Sequence, residues 1–386
     1  MIRNVNMDFK TLNNKLALLD LFSGTGGFSH ALHDACRSIA YADINEDARA
    51  LLKERMHTGD LDKAPIFGDI KELINQISKN PRILRNQYNI DKIDVMTGGF
   101  PCQDISVCNI YGAGFDGKRS RLVFDALNVA QLLKIPVLIF ENSPNILNKG
   151  IERLVEALDQ AGYKCVYDIY SAGQVGAPHL RKRFYMVAFK THGVLKARAD
   201  KVLKKLAEKI VVRDTWRKGY KNDKVVAKTS ENLTDIKRRM FLLGNAIVPA
   251  TAAYAVHTLS KAALDGRRCF LQSALGHFMK YEYPFTIQVP SQKYIPNEEF
   301  ALGEKIKKNQ LSTPLTLGAY ITKVGSHRAL RIVSNQIMYD PRTLADKIDK
   351  NPDHYLVNPR FIEWMMGYPK DWTKINKKTR VPNAVL

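Results

Sequence analysis

The chain has 386 residues, enough for one large or two ordinary domains with real cores, and its 59 lysines and arginines face 38 acidic residues. Its five cysteines, Cys36, Cys102, Cys108, Cys165 and Cys269, are odd in number and form no CxxC pair, which argues against a disulfide framework or a thiolate zinc site and fits a reducing compartment. A formal net charge of +21 points to a polyanionic partner, nucleic acid ahead of a membrane surface; with no signal-like apolar start and no stretch read as spanning a bilayer, a soluble cytoplasmic protein is expected.

From 15 to 190, short β-branched runs alternate with amphipathic stretches: "KLALLDLF", a helix near 27–36, "SIAYAD", a helix near 46–56, "IDVMTGG", a helix near 120–134 and "IPVLIFEN". The rhythm predicts βαβ units, hence an α/β fold with a doubly wound, mostly parallel sheet and a second, smaller irregular domain. "KCVYDIYSA" and "RFYMVAFK" predict a hairpin added to that sheet. Over 194–226, Val194, Val202, Leu206 and Ile210 fall on one helical face amid many lysines, as in a solvated connecting helix or, alternatively, a basic helix facing DNA. "LLGNAIVPATAAYAVHTL" predicts a helix packed on the first domain. Beyond about 264, aromatics, prolines and lysines mix with no repeat or low-complexity tract.

The first strand runs through Gly24, Gly26 and Gly27 into a helix, a turn in which backbone can approach a ligand closely beside free helix N–H groups. Asp43 ends the second strand seventeen residues after Gly26, where an acid can accept both hydroxyls of a ribose; standing alone it would read as a strand-end cap. Asp69 ends a third strand, where a carboxylate could receive an adenine amino group. "GTGGF" lacks the third glycine of a dinucleotide fingerprint and crowds Phe28 against the site, so an adenosine ligand without a pyrophosphate fits better, pointing to S-adenosylmethionine.

In "TGGFPCQDIS", Cys102 emerges where a buried strand turns off the sheet edge. A thiolate attacks a cytosine ring only if the charge building there is neutralised at once. Glu141 in "LIFENSPNI" follows a buried strand, so desolvation should raise its pKa and let it hold a proton at a ring nitrogen. Adjacent parallel strands would deliver Cys102 and Glu141 to one crevice, and Arg181 and Arg183 start a strand where they could meet a carbonyl oxygen. Each has a plain alternative: a cysteine as small core hydrophobe, a glutamate as cap, an arginine pair as surface or phosphate contact.

Together these residues resemble the DNA cytosine-5 methyltransferase family over most of 16–260: "DLFSGTGGF", "GGFPCQDIS", "ENSPNI", "QVGAPHLRKRFYMVAF" and "LGNAIVPA" look like five of its motifs in family order. The resemblance implies a Rossmann-like, S-adenosyl-L-methionine-dependent fold acting on a cytosine flipped out of double-stranded DNA, with S-adenosyl-L-homocysteine as product and no metal. It further implies Cys102 as nucleophile at C6, Glu141 at N3 and Arg183 at the pyrimidine O2. Cofactor positions by the same likeness are Phe22, Gly24, Gly26, Asp43, Ile44, Asp69, Ile70, Leu122, Asn245 and Ala246. "SVCNIYGAGFDGKRS" matches the family's mobile loop over the flipped base.

Departures are His179 where the family usually has glutamine, Ser143 where it has valine, and only some 45 residues before "LGNAIVPA" where the recognition region usually sits. "YLVNPRFIEWMMGYPKDWT" resembles an element that ordinarily precedes the Gly-Asn motif, so recognition is expected after it, in a shuffled order seen in viral and phage relatives. The expected division is a catalytic domain at 15–192, a basic linker at 193–233, a completing helix at 234–264 and a target-recognition domain at 265–386. Arg328, Arg331 or "STPLTLGAY" could reach bases or phosphates, or be ordinary surface. A monomer with no membrane contact is expected, in a bacterial host or a virus-infected cell. A tRNA-methylating relative and an inactive regulator are the rival readings.

Overall fold

A computed structural model describes residues 15–80, 82–101, 122–148, 150–177, 179, 181–216, 226–228, 233–266, 330–333, 336–339 and 355–376. In chain order the first elements are β1 (Leu16–Leu21), α1 (Gly27–Leu32), β2 (Cys36–Ala42), α2 (Glu46–Thr58), β3 (Ile66–Phe67), α3 (Ile70–Lys79), α4 (Ile83–Tyr88) and β4 (Val95–Gly99). They are followed by α5 (Leu122–Leu132), β5 (Val137–Asn142), α6 (Ile151–Gln160), β6 (Tyr163–Ser171) and β7 (Lys182–Lys190). The seven strands form one sheet in the order β3-β2-β1-β4-β5-β7-β6. All pairings among the first five are parallel, and β7 lies antiparallel to both β5 and β6. The predicted α/β class and the added hairpin are thus what the chain adopts.

Strand order reverses between β1 and β4, which opens a crevice at their carboxyl ends. The strands beside it are buried on both faces: every residue of β5 is buried, as central strands of a helix-covered sheet must be. Alternate residues feed two cores, Leu19, Met96, Leu138 and Phe140 on one side and Leu18, Val95, Val137 and Ile139 on the other. Three amphipathic helices pass unremarked in the chain-order reading, α3, α4 and α6. In α6, Ile151, Leu154 and Leu158 bury one face, and α3 begins where the Asp69 side chain caps the Lys71 N–H.

Further on come α7 (Gly193–Lys209), β8 (Val226–Lys228), α8 (Leu233–Asn245) and α9 (Pro249–Leu264). The last elements are β9 (Leu330–Val333), β10 (Gln336–Tyr339), β11 (Tyr355–Val357) and α10 (Pro359–Met365). α7 is not a solvated connector: Ala199, Val202, Leu203 and Leu206 are buried in one cluster with Leu259 and Ala263 of α9. Val194, expected on that apolar face, lies in the helix's first turn and is 86% exposed. The run Thr234–Leu264 is long and apolar enough to cross a bilayer, contrary to expectation, yet 72% of its most apolar window is buried, as in a core helix.

Residues 358–376 pack on the sheet's other helices. Phe361, Ile362, Met365, Tyr368 and Trp372 share a buried cluster with Tyr41, Leu52, Trp216, Met240 and Leu243. Most of the rest of 265–386 lies outside the described residues, including Cys269, Arg328 and "STPLTLGAY"; of Arg331 only the backbone is described, in the β9–β10 ladder. β11 pairs antiparallel with β8.

What holds α10 to α8 is an ion pair, Arg239 to Glu363 at 2.8 Å, with Glu363 fully buried. Its carboxylate also accepts the N–H groups of Asp371 and Thr373, each at 2.8 Å, and the Thr373 hydroxyl. A buried pair so fully bonded is costly to break on one side, because the remaining charge stays buried alone. Glu363→Ala should therefore lower stability by about 3–5 kcal/mol. The paired change Arg239→Met with Glu363→Leu should restore much of the loss in the same denaturant titration.

Candidate active site

The turn between β1 and α1 is built from residues with positive φ: Phe22 at 52°, Gly24 at 53° and Gly26 at 74°. Gly27 is glycine for another reason, since a Cβ there would lie 2.6 Å from both Ile247 Cγ1 and the Tyr368 hydroxyl. Asp43 holds the turn from the β2 side: one carboxylate oxygen accepts the Gly24 N–H at 2.8 Å and the other the Asn45 N–H at 2.8 Å. Burial raises its pKa, against the pull of those two N–H groups. Each oxygen keeps a lone pair, so a ribose diol can still be accepted there.

Next to Asp43, Ile44 is 72% exposed, an apolar side chain standing free at the mouth of the crevice. Phe22 is half-buried near Gly98, and Leu122, opening α5, packs on the same cluster. Asp69 spends one oxygen on its helix cap, and the Ile70 side chain is packed in the core. Asn245 ends α8 exposed, its side-chain amide donating to the Phe241 carbonyl, whereas Ala246 is buried. An open apolar ledge, an acid and a glycine cradle at one crevice suit a neutral adenosine group.

Across the crevice, Gly99 of β4 stands opposite Glu141 of β5 in the ladder, and a Cβ at Gly99 would lie 3.2 Å from the Glu141 Oε2. Glu141 Oε1 meets Arg183 Nε at 3.1 Å. Burial pushes the Glu141 carboxyl above its ordinary range, with Arg183 and then Arg181 pulling it back. The two expected partners Glu141 and Arg183 are therefore brought together. Cys102 and the loop "SVCNIYGAGFDGKRS" lie outside the described residues. The chain leading to that cysteine is nonetheless tied to the acid's strand: Asn142 Nδ2 donates to the Phe100 carbonyl at 3.0 Å, directly before Pro101.

Arg181 does not face the crevice as a carbonyl binder. Its guanidinium donates to the Gly244 and Ala246 carbonyls at 3.2 and 2.6 Å, locking the turn between α8 and α9. His179 is buried and bonds the Met365 carbonyl through Nε2 at 2.8 Å. Burial lowers its pKa to about 4, so at neutral pH the ring is neutral and Nε2 carries the proton it donates. Ser143 is buried beside Asn142, its hydroxyl without a partner among the described residues.

Residues 16–383 match the C-5 cytosine-specific DNA methylase family. The chain belongs to that family. Among similar proteins, the type II methyltransferase M.CviJI of Paramecium bursaria Chlorella virus IL3A is 29% identical over 185 residues, 48% of this chain and 44% of that one. The orphan methyltransferase M.SPRI of Bacillus phage SPR is 21% identical over 231 residues, 59% of this chain and 46% of that one. The chain spans about half the length of the curated relatives it matches. Among solved structures, the S. pombe Dnmt2 methyltransferase aligns at 24% identity and a TM-score of 0.36, over 46% of this chain and 52% of that one.

Three long-range contacts around the site of this C-5 cytosine methylase chain escape sequence reasoning. Asn142, Tyr368 and Trp372 act through bonds to segments far away in sequence, and only the unexplained asparagine in "ENSPN" and aromatics in "GYPKDWT" hint at them. Beneath the turn, Asp20 is fully buried and accepts the Ser29 and Thr97 hydroxyls at 2.7 Å each. Burial raises its pKa from 3.8 to about 6. A raised carboxyl contributes stability that is full below its unfolded pKa and lost as pH rises through its folded one. Relative to Asp20→Asn, the unaltered chain should therefore lose stability between pH 4 and pH 7, which denaturant titrations at several pH values would measure.

Proposed function

We propose that the protein is a DNA cytosine-5 methyltransferase that takes its methyl group from S-adenosyl-L-methionine and acts on a cytosine flipped out of a short sequence in double-stranded DNA. The observation that carries this reading is the buried Glu141 bonded to Arg183, on the strand beside the one that leads to Pro101-Cys102. Cofactor-side residues are Phe22, Gly24, Gly26, Asp43, Ile44, Asp69, Ile70, Leu122, Asn245 and Ala246, with the cradle of Gly24, Asp43 and Ile44 as support. Bound there, S-adenosyl-L-methionine supplies an electrophilic methyl group for C5 and leaves as S-adenosyl-L-homocysteine.

This chain's own residues prepare the ring for that group. The Cys102 thiolate adds to C6, and the electron pair displaced from the C5–C6 bond builds on the ring. Glu141, kept able to hold a proton by its burial, places that proton at N3, and Arg183 donates to O2 while orienting the Glu141 carboxyl. Once C5 gives its proton to a base, that C–H electron pair re-forms the C5–C6 double bond, the thiolate leaves C6, and the N3 proton returns to Glu141, which restores the aromatic ring. Asn142 holds the carbonyl before Pro101 and so sets where the nucleophile's segment begins.

The target-recognition domain is assigned to 265–386, with 358–376 packed on the catalytic body; 193–233 is the basic link to 234–264, its helix α7 packed with α9 in completing that body. The protein works as a monomer in the cytoplasm of a bacterial or virus-infected cell, within a restriction-modification system or as an orphan enzyme. The +21 charge supports a duplex partner.

Base-resolution cytosine methylation mapping of a plasmid from cells expressing the chain should find methylation confined to one short motif and absent with Cys102→Ala. An unmodified plasmid from soluble, cofactor-binding protein would overturn the DNA reading. Glu141→Gln should cost about 10²- to 10⁴-fold in turnover. In the unaltered enzyme, turnover should fall as pH rises past the raised Glu141 pKa, since the protonated acid is the working form. Grafting 265–386 onto a related catalytic body should transfer the target motif; an unmoved motif would contradict the assignment.

A further inference from the structure

The tail 358–376 grips the glycine turn at one residue, Thr25, more than 300 positions earlier in the chain. The Trp372 indole N–H donates to the Thr25 carbonyl at 2.9 Å, and the Tyr368 and Thr25 hydroxyls meet at 2.8 Å. Tyr368 also donates to the Ile247 carbonyl at 3.1 Å. That carbonyl can only accept, so the tyrosine's single proton goes to it and Thr25 donates to Tyr368. Thr25, Tyr368 and Trp372 are all buried, and the His30 ring of α1 lies 4.6 Å from the Trp372 ring and 6.3 Å from that of Tyr368.

These bonds complete a division of labour along the turn. The Gly24 N–H is held by Asp43 and the Gly26 N–H by the Ser23 carbonyl at 2.7 Å. The carbonyl and hydroxyl of Thr25, between those two glycines, are held by the tail. Glycines at positive φ have wide conformational freedom when unrestrained, and freezing them during binding would weaken affinity.

We infer that Tyr368 is a positioning residue for S-adenosylmethionine, acting through Thr25 to hold the turn in its binding shape, so that cofactor affinity is set from the C-terminal tail. The inference rests on the cofactor reading of the turn. By linkage, cofactor binding in turn stabilises the docked tail, the segment that ends the assigned recognition domain.

The test is calorimetric titration of the full chain with S-adenosyl-L-homocysteine, without DNA. Tyr368→Phe keeps the ring and removes the hydroxyl, and should weaken binding about fivefold, the size of one hydrogen bond. Thr25→Val removes only the bond between tail and turn and should do the same, and the double variant should be little worse than Tyr368→Phe, since the Thr25–Tyr368 bond is already lost in each. Leu158→Ala, a core truncation in α6, should lower the melting temperature while leaving affinity unchanged. Equal affinity for the unaltered chain and Tyr368→Phe, or an additive double variant, would overturn the role of Tyr368. Failure of the unaltered chain to bind would instead overturn the cofactor reading itself.

Discussion

A carboxyl group at the end of a wholly buried strand needs room from its neighbours and a partner for its charge. Here Gly99 supplies the room, opposite Glu141 in the β4–β5 ladder, and Arg183 of β7 supplies the cation. The antiparallel placing of β7 next to β5 is what brings an arginine from the added hairpin to an acid of the parallel sheet. Burial and the guanidinium act on Glu141 in opposite directions, and burial wins. The acid is therefore close to its arginine yet still inclined to hold a proton, the combination that a reaction building negative charge on a ring requires.

Chain order and spatial order part company in the second half. Residues 358–376 come after α9, yet they lie against α8, α1 and the glycine turn through a fully bonded buried carboxylate and two buried aromatic rings. Their docking does not depend on when they appear in the chain, because the contacts are made by complementary surfaces, not by short connections. His179 joins the same junction, its neutral ring donating to the Met365 carbonyl. His179 thereby serves as a strut between the segment that leads into β7 and residues 358–376.

The basic excess divides into two populations. Arg55, Arg181, Arg183, Arg238 and Arg239 are buried, and bonds to protein carboxylates or carbonyls engage them. These charges hold the fold and the site together. Most lysines of α7 face outward, Lys196 and Lys204 paired along the helix with Asp200 and Glu208, while its apolar side is covered by α9. Net charge alone therefore overstates how much of the surface is offered to a polyanion.

Much of the catalytic half was legible in the sequence, since strand periodicity, glycines at a strand-to-helix turn and an acid after an apolar run are local signals. The βαβ order, the hairpin and the candidacy of Glu141 follow from such signals, whereas the bond between Glu141 and Arg183 depends on β7 lying beside β5. Helices α3 and α6 were legible by the same kind of signal, since Ile70, Leu73 and Ile77, and Ile151, Leu154 and Leu158, recur at helical spacing. The apolar length of Thr234–Leu264 went unremarked, while its packing on the first domain was legible. Only the tertiary structure decided that Arg181 holds backbone carbonyls, that Val194 stays in solvent, and that Tyr368 and Trp372 close on Thr25. Those are contacts between segments tens to hundreds of residues apart, set by how strands and helices stack, and no local pattern of side chains encodes which distant carbonyl a donor will meet.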